Sequence, residues 1–392
     1  MNDDTKQANQ AAVRAMSAGD LATAQAILVT AVTRDPRSLT SWLNLAAVRR
    51  QLNDLNGAYE ALRQALTLDP RNFPALLMVA SLLEREGNAK AAAAAYGIAL
   101  VQAPPDSMLN PAMLAAVNRG RELHRRHTEE LDGFIRSKLA DFQGQCSRVV
   151  QRRIDTFIAT TLRTSERYQQ QPTDYYFPGL PPIEFFEREQ FPWLEELEAA
   201  TPDVQRELAA ILEDEGGDFS PYVHYQDHLP LDQWRELNNS PRWTAFHFYH
   251  LGKPVPERVQ RAPLTFAAVS RLPQPDVALR SPVALFSRLL PHTRIPPHHG
   301  VANFRLLVHL PLILPGQCYF RVGGETREWR MGEAWVFDDT IEHEAWNDSD
   351  HTRVIMICDI WNPHLSEEER EAIARVIAAN DEYNGTVPDA NA

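Results

Sequence analysis

The sequence predicts two fold classes in series: an α-helical repeat solenoid, then an all-β sandwich or barrel. Three observations predict it. The early part of the chain repeats with a period of 34, marked by Pro36, Pro70 and Pro104. Residues 1–103 carry three of the 28 prolines and one of the eight tryptophans, so helix-compatible sequence comes first and turn-rich sequence follows. From about Trp243, short β-branched and aromatic runs are separated by Gly, Pro, Asn and Asp.

The repeat is supported by several columns in one register. Ala24, Ala58 and Ala92 are spaced by 34, as are Ala31, Ala65 and Ala99. Gly19, Asn53 and Gly87 fall at the same interval, where two helices would turn, and Ala46 and Ala80 add a fourth small-residue column. Small residues at fixed positions let helices pack closely, and Pro starts a new unit after a helix stops. This pattern resembles the tetratricopeptide repeat, in three copies over residues 5–106. Residues 107–173 read as a polar helical linker. His124 and His127 lie there at i, i+3, a spacing that suits a metal pair but also an ordinary solvated basic face. Residues 174–392 form the third segment: an aromatic, Pro-rich stretch (YYFPGLPPIEFF), a helical stretch over 185–215, the strands, and a helix capped by Ser366.

At 392 residues the chain is long enough for two or three units of roughly 150 residues. It is 44% hydrophobic and 23% charged, as globular proteins are. A net charge of -13 argues against nucleic acid as the partner, because phosphate binding needs clustered Lys and Arg. No apolar run reaches the ~20 residues of a membrane span, and the polar start MNDDTKQANQAA lacks the features of a signal peptide. Three scattered cysteines do not make a disulfide framework or a Cys-based zinc site. The expectation is a reduced, cytoplasmic, multidomain protein.

Seven of the thirteen histidines fall between 292 and 364. PPHHG (296–300) precedes one strand and DDTIEHEAWND (338–348) follows another, so His298 and His343 can converge at the open end of a barrel. Imidazoles suit iron, copper or zinc. Arg305, Leu307 and His309 alternate along one strand and share a face. Arg353 opens the last strand, where a buried guanidinium needs an anion; Asp359 is the candidate for a purely structural ion pair.

The stretch SRLLPHTRIPPHHGVANFRLLVHLPL, with FRVGGETREWRMGEAWVFDDTIEHEAWNDSD and HTRVIMICDIWNP, resembles the aspartyl/asparaginyl β-hydroxylase family. The resemblance is specific over 243–364 and looser from 174. It implies a double-stranded β-helix (jelly-roll) dioxygenase that uses Fe(II), 2-oxoglutarate and O2. It matches His298 and His343 to the iron-binding histidines, and Arg353 and Ser287 to the residues holding the distal carboxylate of 2-oxoglutarate. His309 and Trp243 match neighbours of the same cosubstrate, and Arg305 a substrate-carboxylate contact. Most such dioxygenases add a carboxylate two residues after the first histidine. Here that residue is Gly300, as in the β-hydroxylases, where water fills the gap. Leu307 departs from the animal enzymes, which carry Arg, and Ala245 replaces a substrate-amide glutamine. Asp338, Asp339, Glu342 and Glu344 are candidates to hydrogen-bond the ligand imidazoles, with an ordinary surface turn the equal alternative for Glu342 and Glu344.

The resemblance thus implies hydroxylation of an Asp or Asn side chain, at its β-carbon, in a protein or peptide recruited by the repeats. Two other readings stand beside it: a hydroxylase acting on a lipid acyl chain or a free amino acid, and a non-catalytic repeat protein with a degenerate jelly roll.

Overall fold

The computed structural model describes residues 3–214, 218–226 and 230–385. They fall into two compact units, Met1–Ile158 and Ala159–Ala392.

The first unit begins with three consecutive helix pairs: α1 (Asp3–Ser17) with α2 (Leu21–Arg34), α3 (Leu39–Gln51) with α4 (Leu55–Leu68), and α5 (Phe73–Arg85) with α6 (Ala89–Leu100). The turn inside each pair is made by Gly19, Asn53 or Gly87, with φ of 81°, 60° and 77°. Only Gly, and at some cost Asn, enters that left-handed region readily. The next residue caps the second helix: Asp20, Asp54 and Asn88 accept from the backbone N–H of Thr23, Gly57 and Ala91. The alanine columns are buried throughout, from Ala24, Ala58 and Ala92 to Ala46 and Ala80. Pro36, Pro70 and Pro104 fall in the connections after each pair. The repeat architecture expected from the sequence is present.

Helix α7 (Pro111–Gln143) packs its first half on α6. The ring of Tyr96 lies so close to Gly120 that a Cβ there would collide with it. His124 sits over Gly97 with Nδ1 3.2 Å from the Ala93 carbonyl oxygen, so its polar edge is used in packing rather than shared with His127. Helix α8 (Arg148–Thr161) follows.

The second unit is built on two antiparallel sheets. Its helices are α9 (Leu194–Ala199), α10 (Thr201–Glu213), α11 (Pro256–Arg261), α12 (Pro263–Val269) and α13 (Glu367–Asn384). Its strands are β1 (Ser220–Pro221), β2 (Trp243–His247), β3 (Tyr249–His250), β4 (Lys253–Pro254), β5 (Ala284–Leu289), β6 (Thr293–His298), β7 (Arg305–Ile313), β8 (Cys318–Val322), β9 (Glu325–Glu328), β10 (Trp335–Phe337), β11 (His343–Asn347) and β12 (Arg353–Trp361). A six-stranded sheet runs β1-β2-β5-β12-β7-β10 and a four-stranded sheet β6-β11-β8-β9.

Strand β12 explains the layering. Ile355 and Ile357 join the cluster between the sheets, with Ile295, Phe320 and Ala345 from the smaller one. Val354, Met356, Cys358 and Ile360 face the other way, onto a cluster that includes Val204, Leu208 and Ile211 of α10. A strand covered on both faces reads as a continuous apolar run, as RVIMICDIW does. Ser366 caps α13 with a reciprocal bond to Glu369, and Ile373 and Ile377 of α13 seal a third cluster with Ala302 and Phe304.

Candidate active site

His298 is the last residue of β6 and His343 the first of β11. The two are cross-strand partners, and the register of the pair slips between His343 and Ala345. Such a bulge re-aims side chains at a strand end. Their ring centroids lie 4.0 Å apart. The Nδ1 of His298 is 2.8 Å from the Pro296 carbonyl oxygen, and that of His343 is 3.0 Å from Ile341's. A carbonyl only accepts, so each Nδ1 carries the proton and each Nε2 keeps its lone pair. Burial pushes His298 down to about 4, and it holds His343 well below the usual imidazole value, the neighbouring imidazole adding to it. Both rings are therefore neutral donors near pH 7.

The expected carboxylate support for these rings is not what holds them; main-chain carbonyls do. Glu344 pairs with Arg294 and Arg321, Glu342 pairs with Arg321, and Asp338 accepts from Thr340 and Gln170. Those carboxylates are consumed by arginines and a local turn. Asp339 is different. It lines the cavity beside the histidines, its Oδ1 is buried without a partner, and burial pushes its carboxyl up to about 7. A Cβ on Gly300 would collide with the Asp339 carboxylate, so position 300 cannot carry an acidic ligand without displacing it.

Among the described residues, no group of three or more His, Cys, Asp or Glu converges as a metal cluster. The donor set at this site is two imidazoles with free Nε2 atoms. That set fits a first-row metal that takes its remaining ligands from small molecules.

Arg353 is 1% exposed, yet its Nε and Nη1 have no hydrogen-bond partner. Its guanidinium stands 4.9 Å from the Trp329 ring centroid, and burial lowers its pKa to about 10. Asp359 does not neutralise it. That carboxylate accepts from Ser281 Oγ at 2.6 Å, from the Val283 N–H at 2.8 Å and from Gln274 at 3.3 Å, and it meets Arg305 at 3.5 Å. The structural ion pair considered for Arg353 thus belongs to Arg305. Ser287 Oγ accepts from Trp243 Nε1 at 3.1 Å, which leaves its own hydrogen free to donate. His309 is buried against Phe320 and Phe337 with Nδ1 unpartnered.

A cavity of about 1080 Å³ includes His298, His343, Trp243, Arg305, Leu307 and Asp339 in its walls. Two aromatic residues there had not been singled out in the sequence. Tyr222 stacks on Trp243 at 3.9 Å between centroids, and Trp234 meets His298 edge-on at 5.0 Å. Neither lies in a strand pattern, so no periodicity marks them. His247 also faces this cavity, with Nε2 unpartnered.

Residues 198–363 match the family model for aspartyl/asparaginyl beta-hydroxylase. Residues 39–72, the second helix pair, match a tetratricopeptide repeat model. Both resemblances read from the sequence are thus borne out. The chain is 32% identical over 149 residues to the aspartyl/asparaginyl beta-hydroxylase of Mus musculus, covering 38% of this chain and 20% of that one. It is 32% identical over 188 residues to the ornithine lipid ester-linked acyl 2-hydroxylase of Rhizobium tropici, covering 47% and 62%. Against aspartate beta-hydroxylase domain-containing protein 2 of Mus musculus it is 30% identical over 217 residues, covering 53% and 60%. The chain therefore spans between about a fifth and three fifths of the length of these relatives. The matched 198–363 segment holds every candidate site residue taken from the β-hydroxylase resemblance.

Proposed function

We propose that the chain is an Fe(II)- and 2-oxoglutarate-dependent hydroxylase of an Asp or Asn side chain, acting at the β-carbon of a protein or peptide that the repeats recruit. The observation that carries this reading is the coexistence of two neutral imidazoles with free Nε2 atoms and a buried guanidinium with no protein anion. An unpaired buried cation is costly, and a carboxylate ligand relieves that cost with charge-assisted bonds. His298 and His343 would hold the iron. Arg353 grips the distal carboxylate of 2-oxoglutarate, with Ser287 donating to the same group and Trp243 fixing the Ser287 hydroxyl. His309 stands by the proximal carboxylate. Arg305, tied to Asp359 by one long contact, keeps donors for a substrate carboxylate. When bound with 2-oxoglutarate and O2, the iron supplies the oxidant that hydroxylates a C–H bond, so no general base is required.

One observation favours a second substrate. Part of the cavity wall is apolar and aromatic, with Tyr222, Trp234, Tyr249, Leu251, Leu279 and Phe304 in it, and a lipid acyl 2-hydroxylase is among the relatives. An acyl chain suits such walls. The test is an anaerobic titration of Fe(II) and 2-oxoglutarate, followed by the visible absorption of the chelate, then turnover with Asp/Asn peptides and with acyl lipids in parallel. A chelate band that vanishes in His298→Ala is expected. A silent titration in the wild type would favour the non-catalytic interaction protein instead.

A further inference from the structure

The two candidate metal-binding histidines flank turns: His298 ends β6 just before residues 300–303, and His343 opens β11 just after residues 338–341. For two imidazoles to share one ion, these turns must be held in register. Beyond the β6–β11 ladder, residues 170–177 run across both of them. The N–H of Gln171 donates to Thr340 O at 2.7 Å, that of Thr173 to Gly300 O at 3.0 Å, and those of Asp174 and Tyr175 to Val301 O at 3.1 and 2.9 Å. Tyr175 also forms a parallel bridge with Ala302.

A single carboxamide joins the turns through side chains. Gln170 Nε2 donates to Asp338 Oδ2 at 2.6 Å, with a longer contact to Pro181 O at 3.5 Å, and its Oε1 accepts from Asn303 Nδ2 at 3.0 Å. Asp338 and Asn303 are fully buried. Every polar atom around Gln170 is committed. Asp338 Oδ1 accepts from the Thr340 N–H and Oγ, and Asn303 exchanges bonds with the N–H and carbonyl of Phe177 at 2.7 and 2.9 Å. A satisfied buried network has one geometry and transmits any change in it. Residues 170–177 also lie upstream of the segment that matches the family model, 198–363.

We propose that residues 170–177 form a brace that sets the spacing of His298 and His343, with Gln170 as its positioning residue, so that the brace sets the metal affinity of the pair. This rests on the reading of those histidines as a metal site. Gln170 touches neither ring; it acts through the Asp338 and Asn303 turns.

The network permits a polarity swap. In Gln170→Glu, a second carboxylate meets that of Asp338. Adding Asp338→Asn restores a donor between them: the new amide donates to the new carboxylate, Thr340 still donates to the amide oxygen, and Asn303 still donates to residue 170. Gln170→Met keeps the length and removes the bonds to Asp338 and Asn303 together with the long contact to Pro181.

The experiment titrates the full-length protein with Co(II), followed by visible absorption, and records the metal-free Tm of each variant. Expected is a loss of affinity of about tenfold or more for Gln170→Glu, in the range of supporting contacts around metal ligands. A smaller loss is expected for Gln170→Met, and a return to within about threefold of wild type for the double variant. Co(II) affinities equal to wild type in Gln170→Glu and Gln170→Met would overturn the proposal, even with a lowered Tm, because the contact would then serve stability alone. A double variant as weak as Gln170→Glu overturns it too. If Gln170→Glu does not fold, Gln170→Met and the double variant decide. Failure of the wild type to bind Co(II), or binding unaffected by His298→Ala, removes the metal reading itself and the brace with it.

Discussion

Arg353 is the residue whose surroundings constrain the chemistry most. Its charge is buried without an anion, so the ligand-free protein carries a cost that 2-oxoglutarate would relieve. Arg353→Met should therefore raise the Tm of the free protein and abolish the Tm increase expected of the wild type at saturating 2-oxoglutarate, as differential scanning fluorimetry would show. Arg353→Ala should raise the apparent 2-oxoglutarate constant by an amount equivalent to about 2–5 kcal/mol, the usual loss for a buried charge pair. Unchanged cosubstrate binding would assign Arg353 a structural role. His247 gives a second prediction at this scale. Burial, with the Arg258 and His250 charges adding to it, lowers its pKa from 6.5 to about 4. Between these values the unfolded chain takes up the proton and the folded chain does not. The ring thus contributes stability that is complete above pH 6.5 and lost as pH falls toward 4. The limit is about 3 kcal/mol, less in practice because the ring borders an open cavity. His247→Gln should flatten the fall in urea midpoint between pH 7 and pH 5; parallel slopes would refute it.

At the scale of elements, the repeats were legible because their signal is local and periodic. The alanine columns needed only a 34-residue ruler. The same ruler runs through the caps, Asp20, Asp54 and Asn88, whose side chains each hold a backbone N–H at the start of a second helix. Asp54→Ala should cost ~1 kcal/mol, read as a lower midpoint for the first unfolding transition. Ala58 is fully buried, so Ala58→Leu should cost about 1–3 kcal/mol by overpacking. In the β half, β5, β7 and β12 are apolar runs that read as strands from the sequence, whereas β6 does not. Its sequence, TRIPPH, contains Pro296 and Pro297, which argue against a central strand. The structure resolves this: β6 is an edge of the four-stranded sheet, where a missing N–H costs little. His298 and His343 lie side by side, a closeness their positions beside strands allow, but their tautomers are not legible in the sequence, since main-chain carbonyls of Pro296 and Ile341 set them. The Gln170–Asp338 bond joins residues 168 apart, and no local pattern could signal it.

At the scale of the whole molecule, the question is why a helical repeat array shares a chain with a hydroxylase-like domain. Repeat arrays present extended surfaces that bind peptides or partner proteins. A single Asp or Asn side chain offers few contacts, so the pocket around His298 and His343 would bind a protein substrate weakly by itself. Tethering a docking surface to the pocket raises the local substrate concentration, commonly worth ~10²–10⁴ in avidity. Removing residues 1–106 should then leave Fe(II) binding and substrate-uncoupled 2-oxoglutarate turnover nearly unchanged. Hydroxylation of the native protein target should fall sharply, while a short peptide at saturating concentration is modified at close to the full-length rate. The comparison is made by succinate release and by the mass of the product, with full-length and shortened protein side by side. If the shortened protein loses both activities together, the repeats stabilise the β domain. If it loses neither, they serve another partner. Recruitment survives only the split outcome, because docking energy acts on the bimolecular encounter and not on the chemistry that follows.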